Sequence, residues 1–368
     1  MKTLCFRPDV RSRSRAFTLV EIMVSLAVLT ILLMISAQVI GQVQSTWSAS
    51  NARVSQFKEA RTAFDILTRN ISQATLNTYI DYENNYLANV QTQTAAAGPG
   101  TYKRKSELQF ICGPAATLVP GAGGSPFTPG HAIFFQAPLG VSNNPAYVGL
   151  DRLLCTRGYF VQFSSDEAWV PDFIPASTYK FRYRLMEFSP PAELNSIYIA
   201  DKNSTPPAWI AGAEAQPEEA AQGMIPTTRP VADNIVALII SPRREAQTQA
   251  EQAANSNGPT SIAPNFVYNS VNIANATGTS PQGTQHLLPP LVQVVLVAID
   301  ERSADRLEQQ TGAGSGEPPL GDQINPILTD ASQLNAHIKS ITSILQAQRL
   351  NYRVFSGTVS IRGAKWSL

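Results

Sequence analysis

The sequence predicts an α+β fold, in which one long N-terminal helix packs on a mainly antiparallel β-sheet domain with long loops. Three observations support this prediction. Residues 17–40 form an apolar run in which Glu21 is the single ionisable residue. Apolar residues then continue at helical spacing beyond this run. After Tyr79 the chain consists of short β-rich runs divided by turn residues, with few helical segments between them.

The apolar run is long enough to cross a membrane. Its 24 residues would span about 36 Å as an α-helix, and the hydrocarbon core of a bilayer is about 30 Å thick. The leader before it is basic and holds Lys2, Arg7, Arg11, Arg13 and Arg15 against Asp9. Basic flanks stay in the cytoplasm, so we expect the N-terminus there and the remainder outside the inner membrane, in the periplasm. The whole chain has a net charge of +1, and without the basic leader the net charge is about −3. This negative charge argues against a nucleic-acid-binding surface.

Glu21 needs a compensating partner if this segment lies in lipid. An ionised carboxylate in the hydrocarbon core costs roughly 2.5 to 3.5 kcal/mol even on the translocon-insertion scale. Two other interpretations of residues 1–40 are an uncleaved signal anchor and an ordinary secretory signal cut after Ala37. Neither explains a glutamate at the fifth position of the apolar run.

The helix is predicted to continue past the membrane, from about Phe17 to Thr75. Val43, Trp47, Val54, Phe57, Phe64, Leu67 and Ile71 recur at helical spacing, and Arg53, Arg61 and Arg69 lie between them. We therefore expect a transmembrane helix over 17–40, an amphipathic continuation over 41–76 and a β-rich globular domain over 77–368. For Trp47, Phe57, Phe64 and Ile71 we favour packing on the chain's own sheet over contact with neighbouring helices. The arginines are expected on a solvated face.

The globular part is predicted to contain seven strands and two late helices. The strands are expected at 106–112, 131–136, 157–163, 179–188, 234–240, 291–300 and 353–361. The helices are expected at 301–310 and 331–348, the second with Leu334, Ile338, Ile341 and Leu345 on one stripe.

Enzymatic chemistry finds little support in the sequence. His131, His286 and His337 are the only histidines, and none lies in an HExxH motif. The Gly-rich stretch at 312–317 lacks the Lys-Ser/Thr pair of a phosphate-binding loop and is interpreted as a turn. The sequence indicates no cofactor site and no zinc site. A calcium site built from backbone carbonyls would have no sequence signature, so that alternative stays open. We therefore expect a protein that is not an enzyme.

The cysteines leave two interpretations open. Cys5 lies in the leader, so an exported chain without its leader would keep Cys112 and Cys155. An oxidising compartment would allow a disulfide between them. The favoured alternative is that each is a small buried apolar residue, Cys112 at the end of a strand.

Residues 15–21, Arg-Ala-Phe-Thr-Leu-Val-Glu, resemble the signal of type IV pilins and type II secretion pseudopilins. The resemblance implies that a prepilin peptidase cuts between Ala16 and Phe17 and methylates the new amine of Phe17. Ala16 stands where this family usually has glycine at the cleavage point, and this difference bears on the efficiency of processing more than on the identity of the signal. In this family, Glu21 would pair with the amine of a neighbouring subunit and set the register of assembly. That pairing supplies the compensation that Glu21 needs.

The chain after the signal carries two further resemblances. The segment QFKEARTAFDILTRNISQATL before a β-rich domain is similar to minor pseudopilins of the J type. Four later segments are similar to the pilin-like Verru_Chthon cassette protein C family: YKRKSELQFICGP, TRGYFVQF, LPPLVQVVLVAIDERSADRL and NYRVFSGTVSIRGAKW. Together they imply a pilin-like, minor, tip-type subunit whose partners are prepilin peptidase, other pilins and inner-membrane lipid. The alternative is an anchored binding or adhesion module that does not polymerise.

Overall fold

The computed structural model describes residues 18–82, 102–121, 127–147, 149–171, 173–175, 178–213, 227–245, 260–277, 281–311, 318–320 and 322–364. By compactness the chain divides into two units, Met1–Val54 and Ser55–Leu368.

One long helix, α1, spans Leu19–Ile71. It contains the predicted apolar segment from Leu19 onward and most of the predicted amphipathic continuation. It ends four residues before the predicted end at Thr75, because Ser72 and Gln73 form a turn there. Gln73 N–H and Ala74 N–H bond to the carbonyls three residues earlier, and the Thr75 N–H bonds to the Gln136 carbonyl at 2.9 Å. The chain therefore leaves the helix by joining the sheet domain.

Three further helices and twelve strands lie in the described part. The strands are β1 Tyr79–Tyr82, β2 Tyr102–Lys105, β3 Ile111–Pro114, β4 His131–Pro138, β5 Leu154–Ser165, β6 Phe181–Phe188, β7 Thr228–Asp233, β8 Ile235–Arg244, β9 Thr260–Ser261, β10 Tyr268–Asn269, β11 Leu291–Ile299 and β12 Tyr352–Ser360. The helices are α2 Ala115–Leu118, α3 Glu301–Thr311 and α4 Leu334–Ala347. Short 3₁₀ helices occur at Pro145–Tyr147, Glu167–Trp169, Ala192–Leu194, Ala208–Ile210, Asn325–Ile327 and Ala331–Gln333.

The strands form a six-stranded sheet, a four-stranded sheet and a two-stranded ribbon. The six-stranded sheet has the order β10-β3-β4-β5-β6-β7, the four-stranded sheet β12-β11-β8-β9, and the ribbon pairs β1 with β2. Every pairing between these strands is antiparallel. The predicted α+β class, with a long N-terminal helix and a mainly antiparallel sheet domain, is confirmed.

The six-stranded sheet is buried on both faces because its strands alternate their side chains between two cores. In β4, Ile133 and Phe135 enter the larger core, and Phe134 enters the smaller one. The larger core also contains the apolar residues of β8 and β11 and the C-terminal turns of α1. The smaller core is closed by Trp209 and Ile210 from the segment that follows β6. The two large sheets and the end of α1 therefore share one hydrophobic core.

Six of the seven predicted strands form close to the expected positions. The strand predicted at 106–112 is shifted, since β3 begins at Ile111, and residues 108–110 are buried outside the ladder. Both predicted late helices form as α3 and α4, and in α4 Leu334, Ile341 and Leu345 are buried while Ile338 is half-buried.

Cys112 and Cys155 are free, buried thiols, so the disulfide alternative is not realised. Cys112 pairs with Ile133 across β3 and β4, whereas Cys155 pairs with Ala137 across β4 and β5. The thiols are thus two strands apart and offset by four positions along β4, well beyond the roughly 7 Å limit between the Cα atoms of a disulfide. Burial raises the pKa of the Cys112 thiol, which keeps it protonated and unreactive.

Candidate processing and assembly site

The start of α1 is capped by Thr18, which lies immediately before the first helical residue, Leu19. Its Oγ1 accepts a hydrogen bond from the Glu21 N–H at 3.3 Å, and its carbonyl accepts one from the Ile22 N–H at 3.2 Å. Thr followed three residues later by Glu has the spacing of a capping box, which satisfies backbone N–H groups that a helix start leaves unpaired. The sequence reasoning missed this role of Thr18, although the T-x-x-E spacing is its signal.

Glu21 is exposed in the first turn of α1. A carboxylate in the first turn interacts favourably with the positive end of the helix dipole, which is a local contribution separate from any partner charge. The predicted cleavage residues, Ala16 and Phe17, lie outside the described residues. The structure therefore places the acidic member of the predicted charge pair at the surface of the helix start.

The first part of α1 is apolar around its whole circumference. Residues Leu19–Ser48 form a candidate membrane span of 30 residues with a mean hydropathy of 2.5, and none of its most apolar window is buried inside the protein. The hydroxyls of Ser25 and Thr30 donate to carbonyls of the same helix, those of Ile22 and Leu26, at 2.9 and 2.8 Å. Internally satisfied polar groups and an apolar surface on all sides suit a helix surrounded by lipid or by other apolar helices.

Residues 11–37 match the family model of the prokaryotic N-terminal methylation motif. The chain carries a prepilin-type signal. The match contains Ala16, Phe17, Thr18 and Glu21, and it ends inside the candidate membrane span. The comparisons with curated proteins and with solved structures each gave no match.

The motif and the apolar helix together indicate how the chain is processed, anchored and used. This signal implies prepilin-type processing by a prepilin peptidase and a pilin-like role in assembly with other pilins. Proteins that carry it are structural subunits, and a single N-terminal apolar helix is the membrane anchor typical of them.

The C-terminal turns of α1 pack on the sheet domain through one stripe. Ala60, Ala63, Leu67 and Ile71 are buried in the larger core, at helical spacing. Phe57 and Phe64 are half-buried against the same core. The predicted packing is thus confirmed for Phe57, Phe64 and Ile71. The two alanines were not predicted, because small side chains carry a weak hydrophobic signal, yet they let the helix backbone approach the core closely.

The apolar stripe N-terminal to this contact stays exposed. Trp47 is 72% exposed, and Val43 and Val54 are also largely exposed. The prediction that Trp47 packs on the sheet is therefore wrong. Arg61 and Arg69 are solvated, as predicted, and Arg61 lies 3.9 Å from Asp65 one turn on. The side chain of Arg53 is outside the described part.

A buried polar network ties the end of α1 to the six-stranded sheet. Asn70 Nδ2 donates to the Tyr159 hydroxyl at 2.6 Å, and that hydroxyl donates to Glu187 Oε1 at 2.6 Å. Arg157 Nε lies 3.7 Å from Glu187 Oε1, and Arg229 Nη2 lies 3.3 Å from Glu187 Oε2. Burial, followed by the neighbouring Glu187, raises the pKa of Tyr159, so its hydroxyl stays protonated. The network fixes which part of the sheet α1 contacts.

A second polar contact lies near the start of this packed region. Glu59 Oε1 accepts the Asp233 N–H at 3.3 Å. Burial raises the pKa of Glu59, with smaller contributions from the charges of Asp233 and Glu301. Asp233 also pairs with Arg184, whose Nε lies 3.0 Å away. Polar groups therefore anchor this helix segment near both of its ends.

Two of the three histidines, His131 and His337, contact the same phenylalanine ring, and the third lies elsewhere in the domain. His131 is buried and its Nδ1 accepts the Ile240 N–H at 3.1 Å, and burial lowers its pKa to about 4. Its ring lies 4.7 Å from that of Phe266, which also contacts His337. His286 lies elsewhere, beside Arg104, and burial lowers its pKa. Over the described ranges, no group of three His, Cys, Asp or Glu side chains is arranged to hold a metal ion. The stretch 312–317 lies outside those ranges.

Proposed function

We propose that this protein is a minor, tip-type subunit of a type II secretion-like pseudopilus or a type IV pilus-like filament, of the J type. The observation that carries the proposal is the match of residues 11–37 to the N-terminal methylation motif, together with the single continuous helix that begins within the match, at Leu19, and runs to Ile71. The proposed role is structural.

In the proposed maturation, prepilin peptidase removes residues 1–16 and methylates the amine of Phe17. Residues 17–40 then anchor the chain in the inner membrane with the leader side in the cytoplasm. Residues 41–76 continue the helix, and residues 77–368 form the periplasmic domain. A methylated amine remains cationic, so it can balance a carboxylate in a low-dielectric environment.

The minor position in the filament is supported by the size of the globular domain. The compact unit Ser55–Leu368 contains two large sheets, the C-terminal turns of α1 and the helices α2, α3 and α4. A domain this large would be hard to pack at every position of a thin fibre, whereas a tip position leaves it room.

Assembly is proposed to depend on the charge of Glu21. Glu21→Gln removes that charge while keeping a side chain that a capping box accepts. We expect Glu21→Gln and Glu21→Ala to be processed and inserted into the membrane, since removing the charge lowers the cost of insertion. We expect both variants to lose co-isolation with partner pilins.

Thr30→Ala is the matched control, because it removes a polar group from the same apolar helix without changing charge. Co-isolation that survives Glu21→Gln would refute the assembly role. In that case an anchored binding or adhesion module that does not polymerise becomes the better account.

A further inference from the structure

The open edge of β12 differs from the other edges of the two large sheets. β9 and β10 are edge strands of two residues each. β7 carries Pro230 and a register shift against β6. Short length, proline and irregular pairing are the ways in which proteins prevent an edge strand from pairing with another chain. Three of the four edges are therefore protected.

β12 has none of these protections in the described part of the chain. It pairs with β11 at nine consecutive positions, from Tyr352 to Ser360, without a register shift. It contains no proline, and Arg353 is its only charged residue. On its open side, no backbone hydrogen bond joins Arg353–Ser360 to another described residue. Alternate N–H and C=O groups of a long, regular strand are thus available for pairing.

The side chains along this edge leave room for another strand. Ser356, Thr358 and Ser360 are exposed on one face, and they are small hydroxyl residues. On the other face Phe355 and Val359 are buried, and Phe355 packs against Phe64 of α1 with ring centroids 6.2 Å apart. The edge is therefore packed on the core, and from Ser356 to Ser360 its exposed face carries only small side chains.

We propose that the open edge of β12 binds an extended segment of a different protein by strand addition, with one carboxylate of that segment opposite Arg353. In this mode main-chain hydrogen bonds supply affinity and side chains supply specificity. The Arg353 guanidinium lies 5.6 Å from the centre of the Phe355 ring and forms no ion pair with a described carboxylate. It is the one charge along the strand, so charge complementarity selects an acidic residue there.

A second copy of this chain fits the edge poorly. Symmetric pairing of two copies through β12 would be antiparallel. β12 contains no Asp or Glu, so a second copy paired in this way would present no carboxylate to Arg353, and the segment belongs to another protein.

The test uses the full chain in its native membranes with a benzophenone amino acid replacing Thr358. The matched control carries the same probe in place of Ser340, which is exposed on α4. We expect the probe at Thr358, and not at Ser340, to cross-link one protein other than this chain through a peptide that contains Asp or Glu.

Edge variants then separate strand addition from chance proximity. Ser356→Lys adds a charge to the edge and Arg353→Glu reverses the one present, and we expect each to reduce the cross-link about tenfold, the effect of roughly 1.4 kcal/mol. Arg353→Lys and Ser340→Lys should leave it nearly unchanged. The proposal is overturned by cross-links to a second copy, by equal labelling from Ser340, by insensitivity to Ser356→Lys, or by no cross-link. Processing at Phe17 is measured separately, so such a result would leave the proposed function intact.

Discussion

Shortening Leu67 to alanine tests whether α1 is an integral part of the domain core. Leu67 is fully buried with Ala63 and Ile71, whereas its neighbour Ile66 is 40% exposed. Removing three carbon atoms costs about 2.4 kcal/mol of transfer free energy at about 0.8 kcal/mol each. The cavity left behind adds to this, so we expect Leu67→Ala to lower the free energy of unfolding by roughly 3 to 4 kcal/mol.

Ile66→Ala removes the same number of atoms one position away and is the matched control. Its side chain is already partly solvated, and alanine favours the helix slightly, so we expect a loss of about 1 kcal/mol. The assay is urea unfolding of the full chain in detergent, followed by near-ultraviolet circular dichroism, which reports aromatic packing in the domain. Equal losses for the two variants, or a loss below about 1 kcal/mol for Leu67→Ala, would refute the assignment of this stripe to the core.

Two further predictions concern the sheet domain. A Cβ added at Gly158 would lie 2.2 Å from the ring of buried Phe134, whereas one at Gly113 would meet its nearest neighbour at 3.6 Å. Gly158→Ala should therefore lower the urea midpoint by an amount equivalent to about 1 to 3 kcal/mol, and a Gly113→Ala control that loses as much would contradict this reason. His131 has its pKa lowered to about 4 from 6.5, so the unfolded chain binds a proton before the folded one does, and stability should fall as pH drops from about 6.5 to 4. The loss of stability should reach about 3 kcal/mol in the unmodified protein. His131→Asn keeps an acceptor for the Ile240 N–H, and its stability should depend less steeply on pH. An unchanged pH slope in that variant would show that other groups are responsible.

Long periodic segments were predictable from the sequence. β8 and β11 are continuous apolar runs because they are buried on both faces of their sheet. α4 has its apolar residues at helical spacing on one side. These elements are marked in the sequence because each of their apolar residues removes much apolar surface from contact with water on folding. The prepilin-type signal was also predictable, because it consists of a short series of residue types at fixed spacing, and the match of residues 11–37 to the methylation motif agrees with it.

Short and polar elements were missed because their stability comes from neighbours. β9 and β10 have two residues each, and β7 contains Pro230, so no local pattern marks them as strands. The network of Asn70, Tyr159 and Glu187 joins residues far apart in the chain, and only the fold brings them together. Trp47 failed as a predicted packing residue for the opposite reason, since helical spacing continues along α1 beyond the turns that the sheet covers.

The mass of the intact N-terminus tests the central claim most directly. The measurement is intact-mass analysis of the membrane-extracted chain from cells with and without a prepilin peptidase, supported by sequencing of the N-terminal peptide. We predict a chain that begins at methylated Phe17 when the peptidase is present and at Met1 when it is absent. A chain that begins at Met1 in both cells, or at Gln38 after a secretory cut, would contradict prepilin-type processing of this protein.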